Sequence, residues 1–586
     1  MTKLFKYLQP KDWLQVSAVV LLAILQIRLD LMIPEFMRRI TILTQTSGST
    51  VNDVLVAGLM MLLAAFGSLA CVFIISFLAS KTSAALSMRL RDMLFAKICD
   101  FSMEEISRFS TSSLISRTTN DITQVQQFTM SALQMLLRIP ILAVGGIIGI
   151  AGTGLAWTVS ALIAFAFVLI VILCAMIAVM PQFKKMQNLV DRLNHNVRES
   201  LTGRHVVRAY NAEEFHEARF EQANSAFTSA DRKTNRVMAV MSPAMSLGTN
   251  GVLIAAYVVG AFVISTADHM QALNLFSSMV VMIFYLNLLF TATKFITKIA
   301  PRMPRATVSI ARINEVLETE PIIKEGTLTQ GVEGKRGEII FNDVCFTYPR
   351  ASEKSLDNIS FTAKQGETVA IIGSTGSGKT TLINLVMRFF DVTEGEIFIN
   401  GVNIKSFKTE ALNNIIGYVP QKSTLLQGTI LNNVAYGDNG KGGYTRSDVK
   451  HALQIAKAEE FVKGMEGGVD AVISQRGANL SGGQKQRLSI ARAVCRNPEI
   501  LVFDDSFSAL DFKTDRELRT ALKNNANGVT KFVVAQRIAT IMDADQIVVL
   551  DDGKIAGVGT HHELLHTCLV YKEIAMSQLS EEELAS

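Results

Sequence analysis

Charge and pairable cysteine are what this sequence has little of. Only 19% of its 586 residues are charged, and the formal net charge is +5, too small on this length to point to a nucleic-acid partner. The six cysteines, at 71, 99, 174, 345, 495 and 568, include no C-x-x-C pair. That argues against a thiolate zinc site or a disulfide framework and fits a reducing, cytosolic face. Residues 1–8 contain no small-residue cleavage site ahead of the first long apolar run, so no removable signal peptide is expected.

Apolar residues are abundant instead, at 49% of the chain with a mean hydropathy of +0.29, and they are unevenly placed. Long runs fill the first 300 residues, whereas the remainder reads as a mixed, charged globular sequence. A helix needs about 20 mostly apolar residues to cross a bilayer. Six stretches qualify, at 13–37, 54–80, 128–153, 155–180, 238–265 and 272–300. Connections after the first, third and fifth, at 44–53, 152–154 and 265–269, are short and nearly free of Lys and Arg. Those after the second and fourth are long and carry Arg89, Arg108, Lys184, Arg204 and Arg219 among others. This asymmetry puts the long loops, both termini and the C-terminal half in the cytoplasm. Helical spacing continues through both long loops, each broken by a short crossing segment expected near 103–110 and near 211–220.

Few charges lie within the spans, among them Arg28, Asp30, Arg138, Lys294 and Lys298. Ionisable groups at membrane depth are functional candidates. Arg28 and Asp30 are two residues apart, so they occupy different helix faces and do not simply neutralise each other. Pairing between helices and a place on a substrate pathway both stand as readings.

A polar linker over 321–337 separates the membrane region, 1–320, from the mixed, charged remainder, 338–586. Its first landmark is Gly373, Ser374, Thr375, Gly376, Ser377, Gly378, Lys379 and Thr380, followed by Thr381. This is a full G-x4-G-K-[ST] match between a hydrophobic strand and a helix-like run, the context that identifies a P-loop. Its glycines let successive N–H groups turn inward as an anion nest at a helix N-terminus. Lys379 should reach the β- and γ-phosphates of ATP, and the Thr380 hydroxyl should ligate Mg2+. A buried apolar strand ending at Asp504 offers a carboxylate that would hold Mg2+ through water. Leu480, Ser481, Gly482, Gly483 and Gln484 open a second helix, aiming a hydroxyl and glycine N–H groups at a γ-phosphate.

This motif set resembles the ABC transporter family, and the likeness covers nearly the whole chain. It looks like one half of a bacterial ABC exporter: an α-helical six-span transmembrane domain followed by an α/β P-loop ABC nucleotide-binding domain. The resemblance implies a multi-pass protein of the inner membrane that works as a dimer. ATP would be sandwiched between each P-loop and the other subunit's signature, so residues 480–484 would act in trans. It also implies that Tyr348 stacks on adenine and that Gln421 touches Mg2+ and faces the coupling helices, which are the two crossing segments. Ser508, Ala509, Leu510 and Asp511 match the D-loop.

Two positions depart from the family pattern. Asp505 stands where a Glu normally polarises the attacking water, and Gln536 where the family normally has His. Gln475, ahead of the signature, replaces a frequent Glu, a milder change. The shorter acid sits more than ~1 Å further back, and such a misplacement can cost on the order of 10²-fold. General acid–base groups contribute roughly 10²–10⁴-fold. This combination is similar to the degenerate-site subunit of heterodimeric multidrug exporters. The expected partner is then a second half-transporter with an intact Glu and His, and the expected cargo is a small hydrophobic or amphipathic compound. A homodimeric lipid or peptide exporter with slow ATPase, and an ATP-gated regulatory membrane protein, are the competing readings. With no peptidase domain ahead of the spans, leader peptides are not the expected cargo.

Overall fold

The computed structural model describes residues 6–579 apart from 47, 48, 137, 153, 154, 267, 300, 301, 350, 441 and 527. Many positions of the helices Leu155–Thr202, Glu213–Ser265 and His269–Ile299 are described as backbone alone. The chain divides into two compact units, Met1–Cys99 with Ser112–Thr319, and Asp100–Thr111 with Glu320–Ser586.

The first unit is helical. Among the described residues, Pro10–Gln45, Val51–Cys99, Thr111–Ala151 and Asn274–Ala292 are long and apolar enough to cross a membrane, and four of the expected spans fall on them. The other two, at 155–180 and 238–265, lie in Leu155–Thr202 and Glu213–Ser265, where many side chains are outside the described residues. The side chains of Lys294 and Lys298 are also outside them. At 49 residues, Val51–Cys99 is about 70 Å long, more than twice a bilayer core. Its later turns accordingly carry polar pairs: Thr82 donates to Gln15 at 2.8 Å, and Arg89 pairs with the buried Asp12.

Helix contact in this unit depends on small residues. A Cβ on Gly149 would stand 2.6 Å from the Tyr285 ring, and one on Gly145 would stand 2.7 Å from Leu31. Lipid tails give apolar helix faces no reason to prefer one another, so close backbone approach through glycine has to supply the packing. Asp30 is taken up inside the bundle. Its carboxylate accepts from Arg138 at 3.2 Å, Ser68 at 2.5 Å and Gln26 at 3.3 Å, which joins three helices. Arg28 points elsewhere and is exposed.

The second crossing segment is not where the sequence reading put it. The short helix is Arg204–Ala209, and residues 213–220 are instead the first turns of Glu213–Ser265. The breaks explain the shift. The preceding long helix ends just before Gly203, and Asn211, at φ 51, turns the chain through a left-handed conformation that Asn tolerates. The first crossing helix, Met103–Phe109, is capped by Ser102 and groups with the second unit, where Glu105 accepts from Ile322 N at 2.8 Å.

The second unit is built on a six-stranded sheet in the order Lys554–Gly559, Gln546–Asp551, Thr368–Gly373, Thr530–Val534, Ile500–Asp504, Ile416–Val419. All neighbours are parallel except the first pair. The central strands read as unbroken apolar runs because both their faces are covered. A four-stranded antiparallel sheet, Leu356–Ala363, Ile339–Phe346, Glu394–Ile399 and Val402–Asn403, packs beside it. The two meet through Phe341, Phe361 and Phe532, with ring centroids 4.5–6.3 Å apart.

Candidate functional site

Parallel register brings the key residues together. Ile371 pairs with Val534, and Val534 with Asp504, so the P-loop, the acidic pair and Gln536 all emerge at one carboxyl edge of the sheet. That edge is where open parallel α/β sheets bind ligands.

The P-loop is shaped by positions that exclude a side chain. Gly378 adopts φ 98, and a Cβ there would meet Leu356 at 2.6 Å and Ser355 O at 2.9 Å. A Cβ on Gly373 would stand 2.1 Å from Leu550 O. The helix Lys379–Val386 begins directly after Gly378, so its free N–H groups and positive dipole end face the loop. Lys379 Nζ donates to Gly373 O at 2.8 Å and Ser374 O at 2.7 Å. Burial lowers the Lys379 pKa, against the upward pull of Asp505 and Asp504. Tyr348 stands beside this helix. Its hydroxyl donates to Thr381 at 3.2 Å, and its ring sits edge-on to Phe346 and Phe390.

Asp504 ends its strand buried, and burial with the neighbouring Asp505 charge pushes its pKa up to about 6, partly opposed by the Thr380 hydroxyl and Lys379. Asp505 follows at φ 47. Its backbone N–H donates to Val534 O at 3.0 Å, which holds it against the next strand. Burial raises its pKa too, opposed by hydrogen bonds from Gln421 and Ser508 and by the charges of Lys379 and Arg537. One oxygen, Oδ2, accepts from Gln536 Nε2 at 2.9 Å and Gln421 Nε2 at 3.3 Å. Asp505 and Gln536, the two residues that the sequence reading sets apart from the family pattern, therefore touch each other.

These donors fit a hard divalent cation with ATP. The Asp504 carboxylate and the Thr380 hydroxyl bonded to it are oxygen donors of the kind such ions prefer.

The signature lies elsewhere in the same unit. Ser481 caps the helix Gly482–Cys495 in a reciprocal box, accepting from Gln484 N at 3.3 Å while its own N–H donates to Gln484 Oε1 at 2.9 Å. Leu480 is buried, and a Cβ on Gly482 would meet nothing within 4 Å. Among the described residues no hydrogen bond links 480–484 to 373–381. The D-loop connects the halves. Ser508 donates to Asp505 O at 2.8 Å, Gly483 faces Ala509 and Leu510, and Asp511 caps Phe512–Asn525. Gln475 opens a tight turn in which Arg476 has φ 57.

Sequence reasoning missed Gln578. It follows the C-terminal helix Leu569–Met576 and bonds the backbone on both sides of Arg537. No motif marks it.

Residues 16–292 match the family described as ABC transporter transmembrane region, and residues 356–508 match the one described as ABC transporter. The chain is 37% identical over 503 residues to an uncharacterized ABC transporter ATP-binding protein of Mycobacterium tuberculosis, covering 86% of this chain and 85% of that one. It is 33% identical over 586 residues to another, of Bacillus subtilis, covering 99% of each. The ATP-dependent lipid A-core flippase of Vibrio vulnificus is 30% identical over 513 residues, 87% of this chain and 86% of that protein. A solved structure of a bacterial Atm1-family ABC exporter with ATP bound superposes with a TM-score of 0.80 at 26% identity, covering 97% of this chain and 98% of that one. The chain belongs to the ABC transporter family. Within it, the chain is an exporter half-transporter, a helical transmembrane domain followed by an ABC ATPase domain, of a kind that works as a dimer in the lipid bilayer.

Proposed function

We propose that this chain is the noncatalytic-site half of a heterodimeric exporter of small hydrophobic or amphipathic compounds. The observation that carries the reading is the bond from Gln536 to Asp505 at 2.9 Å within an otherwise complete site. A water-activating acid needs a free, suitably placed oxygen. Here Oδ2 is occupied by two uncharged amide donors, which hold that oxygen away from an attacking water and oppose the rise in pKa that burial gives Asp505.

In this reading the P-loop N–H groups and Lys379 hold the triphosphate, while Tyr348 meets the base. Thr380, Gln421 and Asp504 would hold Mg2+. Bound Mg2+-ATP supplies the phosphoanhydride whose cleavage at the partner's site drives transport. Asp505 and Gln536 keep this chain's own nucleotide in place rather than activating water. Ser481 and the glycines beside it act on the partner's nucleotide. Residues 1–320 would form six spans, 321–337 the linker and 338–586 the cytoplasmic ATPase domain.

Co-purification tests the assignment. A tagged chain should bring down a second, similar-sized half-transporter in equal amount. Recovery of a homodimer with full, substrate-stimulated ATPase would overturn it. Orientation is checked separately with an impermeant thiol reagent in intact cells. A cysteine at Thr50 should label and one at Arg108 should not.

A further inference from the structure

The strand Thr530–Val534 is followed by Gln536, Arg537 and a short helix, Ile538–Ile541. That helix starts without a side-chain cap of its own, because Arg537 occupies the capping position and its side chain makes no cap bond. The first N–H groups of a helix have no partner within it and must find one elsewhere. Here the partner comes from near the C-terminus. Ile538 N donates to Gln578 Oε1 at 2.8 Å, and Gln578 Nε2 donates to Gln536 O at 2.8 Å. One carboxamide thus uses both its ends to grip the backbone on either side of Arg537, as a neighbouring strand would.

The grip is firmly mounted. Tyr571 and Ala575 of Leu569–Met576 are fully buried, and the backbone N–H groups of Gln578 and Leu579 both donate to Ala575 O, at 3.0 and 2.9 Å. From the gripped segment the side chain of Gln536 reaches Asp505 at 2.9 Å. A continuous run of bonds therefore leads from the C-terminal helix through Gln578 and Gln536 to the acid beside the P-loop.

We infer that Gln578 is a positioning residue for the nucleotide site. It fixes the segment that carries Gln536 so that the 536 amide stays on Asp505, and in this way it sets how long the chain's own ATP is retained. The inference rests on the proposal that this site binds and holds ATP.

The test uses the full-length chain with its co-purifying partner. Labelled 8-azido-ATP is bound, chased with unlabelled ATP, and crosslinked at intervals, and the label remaining on this chain's band is followed. Gln578→Leu keeps the shape and loses both bonds, so release should accelerate about 2- to 10-fold, as expected for a net hydrogen bond or two. Gln578→Glu keeps the acceptor and should fall between. Ser577→Ala loses only a bond to Ile574 O within the helix and should match wild type. In a Gln536→Ala background, Gln578→Leu should add little, because residues acting through one another are not additive. An equal effect in both backgrounds would mean a general structural role and would overturn the inference, as would no effect in the wild-type background. Lys379→Ala separates the two levels. If label is still retained without that lysine, the ATP-site proposal itself fails.

Discussion

Gln536 and Asp505 are hydrogen-bonded to each other, with Gln536 Nε2 2.9 Å from Asp505 Oδ2. In the family pattern the residues at these two positions divide the work between the attacking water and the γ-phosphate. Here each is the other's partner. An amide cannot carry charge to a phosphate, and one oxygen of the carboxylate is taken up by two amides rather than open to a water.

Under the heterodimer proposal, Asp505→Ala should leave the total ATPase of the assembled transporter nearly unchanged. Asp505→Glu combined with Gln536→His should raise hydrolysis at this site only in part, because the partner's signature contributes to the same site. The measurement is the steady-state ATPase rate of the co-purified complex. A collapse in Asp505→Ala would identify this site as the main catalyst.

Damage to the signature should behave in the opposite way. Losing one preorganised donor to a developing charge costs ~10²–10³-fold in rate, so Ser481→Ala should nearly abolish ATPase and transport. Ser481 also caps its helix, a loss of about 1 kcal/mol in stability. Gly482→Asp avoids that ambiguity, since nothing lies within 4 Å of the position a Cβ would take. It should leave the melting temperature unchanged and still stop turnover. Activity near wild type in both variants would refute the trans role.

Asp504 gives a pH prediction with a definite sign. Its folded pKa is raised to about 6 by burial and by the Asp505 charge, so the folded state holds the proton more tightly than the unfolded state does. The stability this contributes is complete below about pH 4, near an ordinary Asp value, and is lost as pH rises through about 6. Without nucleotide or Mg2+, Asp504→Asn should raise the melting temperature at neutral pH, and the gain should vanish towards about pH 4. A lower melting temperature at neutral pH would show that the carboxylate is stabilising after all.

The membrane bundle offers a fourth test. Asp30→Asn or Arg138→Gln would each leave a charge without its partner 3.2 Å away; the pair is only partly buried, so the cost should fall below the ~3–5 kcal/mol of a fully buried pair. Each single variant should lower thermal stability in detergent, and the double variant should lose less than the sum of the two. Strict additivity would show that the pair is not coupled.

What was legible in the sequence follows from how local each signal is. The P-loop, the Asp504 strand end and the signature helix are contiguous stretches whose glycines and hydroxyls have one geometric use. The first two meet at the sheet edge because of the strand order. Asp30 was flagged, but its partners Ser68 and Arg138 are 38 and 108 residues away, and no periodicity points to them. The second crossing helix was misplaced because apolar spacing runs on past the Gly203 break. Gln578 was invisible because its role is to cap a helix 40 residues earlier, and a lone polar residue at a helix end resembles any other surface position.

Asp505 stands at φ 47, in the left-handed region where short Asp and Asn side chains are several-fold enriched over other non-glycine residues. Under the heterodimer proposal, this makes the loss of catalysis lopsided in evolutionary terms. Shortening the acid moves the residue towards one its backbone accepts, whereas lengthening it again moves against the backbone before any chemistry is regained. A subunit that has taken this step has an easy way in and a harder way back, and its dependence on an intact partner becomes correspondingly durable.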